Sequence, residues 1–433
     1  MSRRLDHRDL LRMNNHSLAE CLQSILASKD CPSPHSKTVD TFYTSSIMSI
    51  IKKIETHIFH AAPKTNWIFI SVTDSNGVQA WGEASLNGWE PILKSTVDYF
   101  ATDWIGLSLD QAQQQLHASP RLPGGLVVNT VISAVAQAVS TLQSAHQNIT
   151  ACQVLGKKNR SIVPLYANIN RATTLRTPEG FVQTARRAKA LGFTRFKAAP
   201  FDGLMPHLCH TDEGKKRIAH GIDCMLALRD ALGPDALLMV DCHWRFDESH
   251  AIATLKNLQP AKLYWFECPI GETYANWNAT RRIRSIANDQ GVLLAAAESQ
   301  MGIESFQNVF DEKLLDVVMP DIKYCGGPWE MLQIAERAQD SGVKFSPHNP
   351  SGPICTWHSL QVSAVAPQCD MLEIQFEESD DYDLLQTGTQ LIFKEGAFLV
   401  PDAPALMPKI DMQLLNSKPY QKVPPGVETL LYR

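Results

Sequence analysis

A chain of 433 residues, 44% apolar and 20% charged, with a formal net charge of −5, has the make-up of a globular protein of more than one domain. So small a charge gives no electrostatic reason to expect nucleic acid or an anionic membrane as partner, and no apolar run reads as long enough to span a bilayer. Ten cysteines without a single C-x-x-C pair, and no secretory signal, fit free thiols in a reducing, cytoplasmic setting.

Residues 1–47 are rich in Ser, His, Asn and Asp and lack an apolar period, which predicts a disordered extension. Asp6, Asp9 and Glu20 within it argue against a transit peptide. From Ile51 the pattern is strand, turn, strand. Trp67-Ile-Phe-Ile-Ser-Val-Thr73 is β-rich, and Asp74-Ser-Asn-Gly77 marks a turn before Val78–Glu83. Helical stretches follow at about 91–117 and 129–155, so 48–160 reads as an α+β domain.

Past Val163 the rhythm becomes repetitive. Short apolar runs occur at Val163–Ala167, Thr194–Ala198, Ala236–Asp241, Lys262–Glu267, Val292–Glu298, Asp316–Asp321, Val343–His348 and Met371–Gln375. Amphipathic stretches between them include Pro178–Leu191, Lys215–Leu232, Asn276–Asp289 and Trp329–Asp340, with stops at Gly192, Gly233, Gly291 and Gly342. Eight strands alternating with helices predict an α/β fold, a TIM-type parallel barrel over 161–377. The rhythm ends there, and residues 378–433 are expected to run back to the first domain.

In such a barrel catalytic groups sit at the C-terminal ends of the strands. Successive runs here end in Asp241, Glu267, Glu298, Asp321 and His348, and the last carries Glu373. One acidic strand end can be a helix cap. Six ionisable ends converging on one mouth make a site. Three carboxylates on neighbouring strands suit a hard divalent cation, for which Mg2+ is the usual choice. Asp321 and His348 read as an orienting carboxylate behind a basic imidazole.

These segments resemble the mandelate racemase subgroup of the enolase superfamily, over about residues 49–400. The matching stretches are Leu238-Met-Val-Asp-Cys-His-Trp-Arg-Phe246, Trp265-Phe-Glu-Cys-Pro269, Ala296-Ala-Glu-Ser299, Met319-Pro-Asp-Ile-Lys-Tyr-Cys-Gly-Gly327 and Ser346-Pro-His-Asn-Pro-Ser-Gly-Pro353. The resemblance implies a (β/α)7β barrel with a capping domain formed by the N- and C-terminal segments. It also implies Mg2+ on Asp241, Glu267 and Glu298, an Asp321–His348 dyad, and Glu373 near the substrate carboxylate.

The family's Lys-x-Lys is only half present. Lys197 is kept, and Ala199 stands where the second, proton-moving lysine would be, which counts against racemisation. Asp241-Cys-His-Trp-Arg245 and His348-Asn-Pro-Ser-Gly-Pro353 are similar to segments of the galactonate and mannonate dehydratases. The implied reaction is loss of water from a sugar acid, an aldonate or aldarate, giving a 2-keto-3-deoxy acid, with His348 as base and His243 as acid. Alternatives on the same scaffold are an epimerase or a lactone cycloisomerase, and outside catalysis a silent binding relative.

Each assignment has a plainer counterpart. His243 could satisfy a loop carbonyl, Lys197 could form a structural ion pair, and Glu373 could hold the barrel together. His207-Leu-Cys-His210 lacks further ligands at zinc spacing and reads as a covering or contact loop. Cys242, Cys268 and Cys325 read as core thiols. Asn168, Asn170, Arg245, Trp67 and Trp89 are expected to contact the substrate. A homo-oligomer is expected from the fold.

Overall fold

The β-rich stretch at Trp67 becomes the middle strand of a three-stranded antiparallel sheet, ordered β1 (Ile51–Ala62), β2 (Thr65–Asp74), β3 (Gln79–Glu83). This computed structural model describes residues 49–119 and 125–426, so the tail expected over 1–47 lies outside the described residues. Strand β2 is buried almost throughout, because helices α1 (Glu90–Trp104), α2 (Leu109–Ala118) and α3 (Gly125–Gln147) complete one apolar core with the sheet. The expected helix over 91–117 is two helices. Ser108 starts α2 with a capping box closed by Gln111, and a serine that bonds backbone N–H groups ends helical continuity as readily as it begins it. Thr150 does the same for α4 (Ala151–Leu155).

Helix α3 corrects one expectation. By length and composition it is apolar enough to cross a membrane, yet 83% of its most apolar window is buried inside the protein. It lies so close to β3 that a Cβ at Gly82 would collide with the Ala134 carbonyl.

The repetitive region forms a TIM-barrel-like parallel sheet. Its strands are β4 (Ile162–Asn168), β5 (Arg195–Ala198), β6 (Leu237–Asp241), β7 (Trp265–Glu267), β8 (Leu293–Ala296), β9 (Val317–Val318), β10 (Lys344–Phe345) and β11 (Leu372–Gln375). Neighbours pair in sequence order from β4 to β10, and β11 pairs in parallel with β4. On its other side β11 approaches β10 through Asp370 N to Phe345 O at 2.9 Å and Glu373 N to Pro347 O at 3.3 Å. Helices α5 (Pro178–Ala190), α6 (Asp212–Leu232), α7 (Glu248–Asn257), α8 (Trp277–Asp289), α9 (Gly302–Asp311), α10 (Pro328–Asp340) and α11 (Pro353–Val365) fall between the strands.

Side-chain alternation explains the division of residues. Leu238, Val240, Phe266, Leu294 and Val318 join the helices in one large core. Tyr166, Met239, Trp265, Ala295, Val317, Met319 and Met371 form a second cluster on the other face of the strands. Two residues beyond Met239 and Trp265, on that same inner face, stand Asp241 and Glu267. The apolar layer thus ends in a layer of charges.

The remaining strands divide their contacts. β14 (Ala397–Leu399) pairs antiparallel with β4, and β13 (Ile392–Lys394) pairs with β14. Past them, β15 (Pro408–Ile410) pairs with β12 (Gln386–Gly388), and Ile410 and Leu415 share a buried cluster with Phe59, Trp67 and Phe69 of the first sheet.

Candidate active site

Parallel pairing sets Asp241 directly beside Glu267, and Glu298 lies two residues past the end of β8. The three carboxylates are buried, 2%, 0% and 2% exposed, and each offers an oxygen within 4.8 Å of the others. Burial, together with the neighbouring Asp241 and Glu373, pushes Glu267 up to about 8 against the pull of Lys197. Burial and the charges of Asp241 and Glu267 hold Glu298 well above the carboxylate range. Burial also works against Asp241, but His243 and Lys197 outweigh it and hold that group low. An all-oxygen donor set whose members repel one another this way fits a hard dication such as Mg2+, which removes the repulsion.

Asp321 and His348 follow the short strands β9 and β10 and meet through an isolated parallel bridge. His348 Nδ1 is 2.9 Å from Asp321 Oδ2. His348 Nε2 lies 3.5 Å from Glu298 and 3.8 Å from Glu373. Burial disfavours the Asp321 anion, yet Lys323 and His348 hold its pKa below the usual range. Lys323 was not anticipated. Its ammonium, 2% exposed, donates to Asp321 Oδ2 and Ser351 Oγ, both at 2.6 Å. The signal was present in Asp321-Ile-Lys323, where the lysine stands two positions past the acid.

Lys197 joins two carboxylates, Glu267 at 2.6 Å and Glu373 at 3.2 Å. Burial opposes its charge, but Glu267 and Glu373 together hold it well above the lysine range. Glu373 in turn accepts from Asn168 Nδ2 at 2.6 Å, Tyr166 Oη at 3.0 Å and Asn349 N at 3.1 Å. Despite its burial, Lys197 and His348 hold Glu373 down to about 2. Ala199 is 5% exposed, and its carbonyl accepts from Arg176 at 2.7 Å.

His243 stands at this carboxylate cluster, with Nε2 2.8 Å from Asp241 Oδ2 and its own N–H on Asp241 Oδ1 at 2.8 Å. It and Trp244 both take left-handed backbone, φ 47° and 54°. Cys268, just after Glu267, has φ 44°, and Ala297, just before Glu298, has φ 80°. Non-glycine residues there cost about 1 kcal/mol or more each, so the surroundings must hold them.

The other expected contacts divide. Asn168 is in the site through Glu373. Asn170 sits beside it, but its side-chain oxygen is taken by Arg176 at 2.7 Å. Arg245 donates to the Leu204 carbonyl at 3.2 Å and lines, with His243 and His207, a cavity of about 760 Å³. Trp67 departs from expectation. It is 1% exposed, stacked in the Phe59–Phe69 cluster, and a Cβ at Gly352 would strike its ring. Trp89 packs on the core of the first sheet. His207 and His210 are exposed, and neither joins a group of metal-type ligands among the described residues. Burial raises Cys242 and Cys268 far above the thiol range, as core thiols require. Cys325 is likewise buried.

A family model described as Enolase C-terminal domain-like matches residues 180–413. The chain is 26% identical over 371 residues to the D-galactonate dehydratase of Xanthomonas euvesicatoria pv. vesicatoria (strain 85-10), covering 83% of this chain and 92% of that protein. Among solved structures it superposes on a mandelate racemase/muconate lactonizing enzyme from Jannaschia sp. CCS1 with a TM-score of 0.75 at 21% identity, over 87% of this chain and 99% of that one. A structure of a candidate L-alanine-DL-glutamate epimerase from Burkholderia xenovorans strain LB400, bound to magnesium and fumarate, gives 0.76 at 21% identity over 88% and 98%. With more than half its length matched by the family model, the chain belongs to the enolase superfamily, in the branch of mandelate racemase and muconate lactonizing enzyme.

Proposed function

We propose that the protein is a Mg2+-dependent dehydratase of a sugar acid, an aldonate or aldarate, forming a 2-keto-3-deoxy acid. The observation that carries this reading is the pairing of an oriented base with a second imidazole across one carboxylate cluster. His348 is held through Nδ1, leaving Nε2 facing Glu298 and Glu373, and His243 stands on Asp241.

Asp241, Glu267 and Glu298 would hold the metal. When bound, Mg2+ supplies positive charge against the negative charge that gathers on the substrate carboxylate as its neighbouring carbon loses a proton. His348 Nε2 takes that proton. Asp321 accepts from Nδ1–H, which fixes the tautomer and stabilises the imidazolium. His243 gives a proton to the hydroxyl on the next carbon, which departs as water, and the resulting enol becomes the keto acid. Lys197 places one fixed positive charge beneath the reacting carboxylate. Ala199 offers no base on the opposite face, so inversion at the carbon lacks its second proton carrier. The α+β region over 48–160 and part of 378–433 would cap the mouth in this reading, as a homo-oligomer would suit the fold.

A panel of aldonates and aldarates with Mg2+, assayed for 2-keto acid, tests the assignment. One member should give keto acid, and His243→Asn should abolish that while sparing exchange of the α-proton with deuterated water. If none gives keto acid while one exchanges its proton, dehydration is refuted. One observation favours this second reading, an epimerase or lactone cycloisomerase. His243 Nε2 is committed to Asp241 at 2.8 Å, and neither reaction needs it as an acid.

A further inference from the structure

Glu272 lies in the irregular loop between β7 and α8, five residues past Glu267, and the mechanism above gives it no part. Its carboxylate nevertheless gathers side chains from the segments that follow three neighbouring strands, β6, β7 and β8. Oε1 accepts from Trp244 Nε1 at 2.7 Å. The Cys268 thiol points to the same oxygen at 3.7 Å, and to Glu298 Oε2 at 3.8 Å. From the loop after β8, Gln300 Nε2 reaches Oε2 at 3.4 Å. Trp244 and Cys268 are residues at left-handed φ, 54° and 44°. They adjoin His243 and Glu267 in the chain, and Gln300 lies two residues past Glu298.

We propose that Glu272 is a positioning residue that clamps these three segments and so holds His243 and the metal carboxylate Glu298 in working geometry. The idea rests on the site reading above for what those two residues do, and on contacts alone for the clamp. A strained backbone persists only where its surroundings over-determine it. Here one acceptor group supplies that constraint to segments from three strands. Removing it leaves the Trp244 indole N–H and the Gln300 amide without this acceptor and frees both segments to relax.

Amide hydrogen exchange on the full-length protein tests the clamp without any substrate. Glu272→Ala should raise exchange in peptides 242–247 and 295–300 by about tenfold or more, with the melting temperature lowered only slightly. Trp244→Phe should raise it in 242–247 alone. Glu272→Gln, which keeps one accepting oxygen and guards against a merely unfolded alanine variant, should fall between parent and Glu272→Ala. Calorimetric titration with Mg2+ should show binding weakened by about 10- to 100-fold in Glu272→Ala and less in Glu272→Gln. Unchanged exchange in a folded Glu272→Ala overturns the proposal. So does raised exchange with unchanged Mg2+ affinity in a parent that binds the ion. If the parent binds no Mg2+ and makes no keto acid while exchange rises as stated, the site reading falls and the clamp stands.

Discussion

The imidazole of His348 is fixed from behind by Asp321, Nδ1 to Oδ2 at 2.9 Å, and that same oxygen receives the Lys323 ammonium at 2.6 Å. The carboxylate thus serves two donors. Lys323 keeps it ionised despite complete burial, and an ionised Asp321 demands the tautomer with hydrogen on Nδ1 and the lone pair on Nε2. Lys323 thus bears on His348 through the carboxylate oxygen that they share.

Asp321→Asn keeps the shape of the dyad but allows the amide to donate, which permits the wrong tautomer. The rate of α-proton exchange should fall by about 10²- to 10⁴-fold, with KM nearly unchanged because the substrate-facing surface is the same. Lys323→Met should give a smaller loss in the same direction. Deuterium exchange followed by NMR reports both, and an Asp321→Asn variant exchanging at the parental rate would remove the dyad from the mechanism.

Mg2+ should stabilise the folded protein. Three buried carboxylates within 4.8 Å repel one another, and an unfolded chain offers no comparable site. Binding at a free concentration of 100 times Kd contributes about 2.7 kcal/mol, seen as a rise in melting temperature that grows with Mg2+ and is reversed by chelator. Asp241→Asn should lose most of that rise. A parent whose melting temperature ignores Mg2+ would speak against the three residues as its ligands.

How much of this was legible in the chain depended on reach. Asp241 and Glu267 end their strands and sit one strand apart, so local rhythm placed them. Glu298, Asp321 and His348 lie two or three residues beyond the ends of their strands. Polar groups there leave the ladder to turn into the mouth, and boundaries blur while order survives. Glu83 was invisible. Its buried carboxylate accepts from Gly352 N at 2.7 Å and Cys355 N at 2.9 Å, capping the N-terminus of α11 from a position 269 residues away. No local pattern reports such a pairing. Trp67 shows the opposite failure, since an aromatic near a polar loop looks like a ligand contact until tertiary packing covers it.

Lys197→Met probes the ion cluster energetically. Glu267 and Glu373 lie 2.6 Å and 3.2 Å from the ammonium, and both are fully buried. Deleting one partner of such a buried set strands the others, at about 3–5 kcal/mol. Mg2+ should restore part of the loss, because it offsets Glu267 from the other side, while Glu373 stays uncompensated. Thermal unfolding with and without Mg2+ measures both effects. A variant as stable as the parent without the ion would show that the cluster tolerates an uncompensated charge.

The pH dependence of stability should carry the mark of His358, which takes no part in this ion cluster. Its ring lies within α11, 3% exposed, with Nε2 3.2 Å from the Trp81 carbonyl. Burial lowers its pKa from 6.5 to about 4, so the folded protein holds it neutral where the unfolded chain already takes a proton. The stability it protects is therefore present above about pH 6.5 and is lost as pH falls toward 4, by at most about 3 kcal/mol. His358→Gln keeps a donor for the Trp81 carbonyl but does not titrate. Melting temperatures of parent and variant should converge as pH falls from about 7 to about 4.5, the parent losing more over that range. Parallel losses would clear His358 and leave the acid sensitivity to the carboxylates.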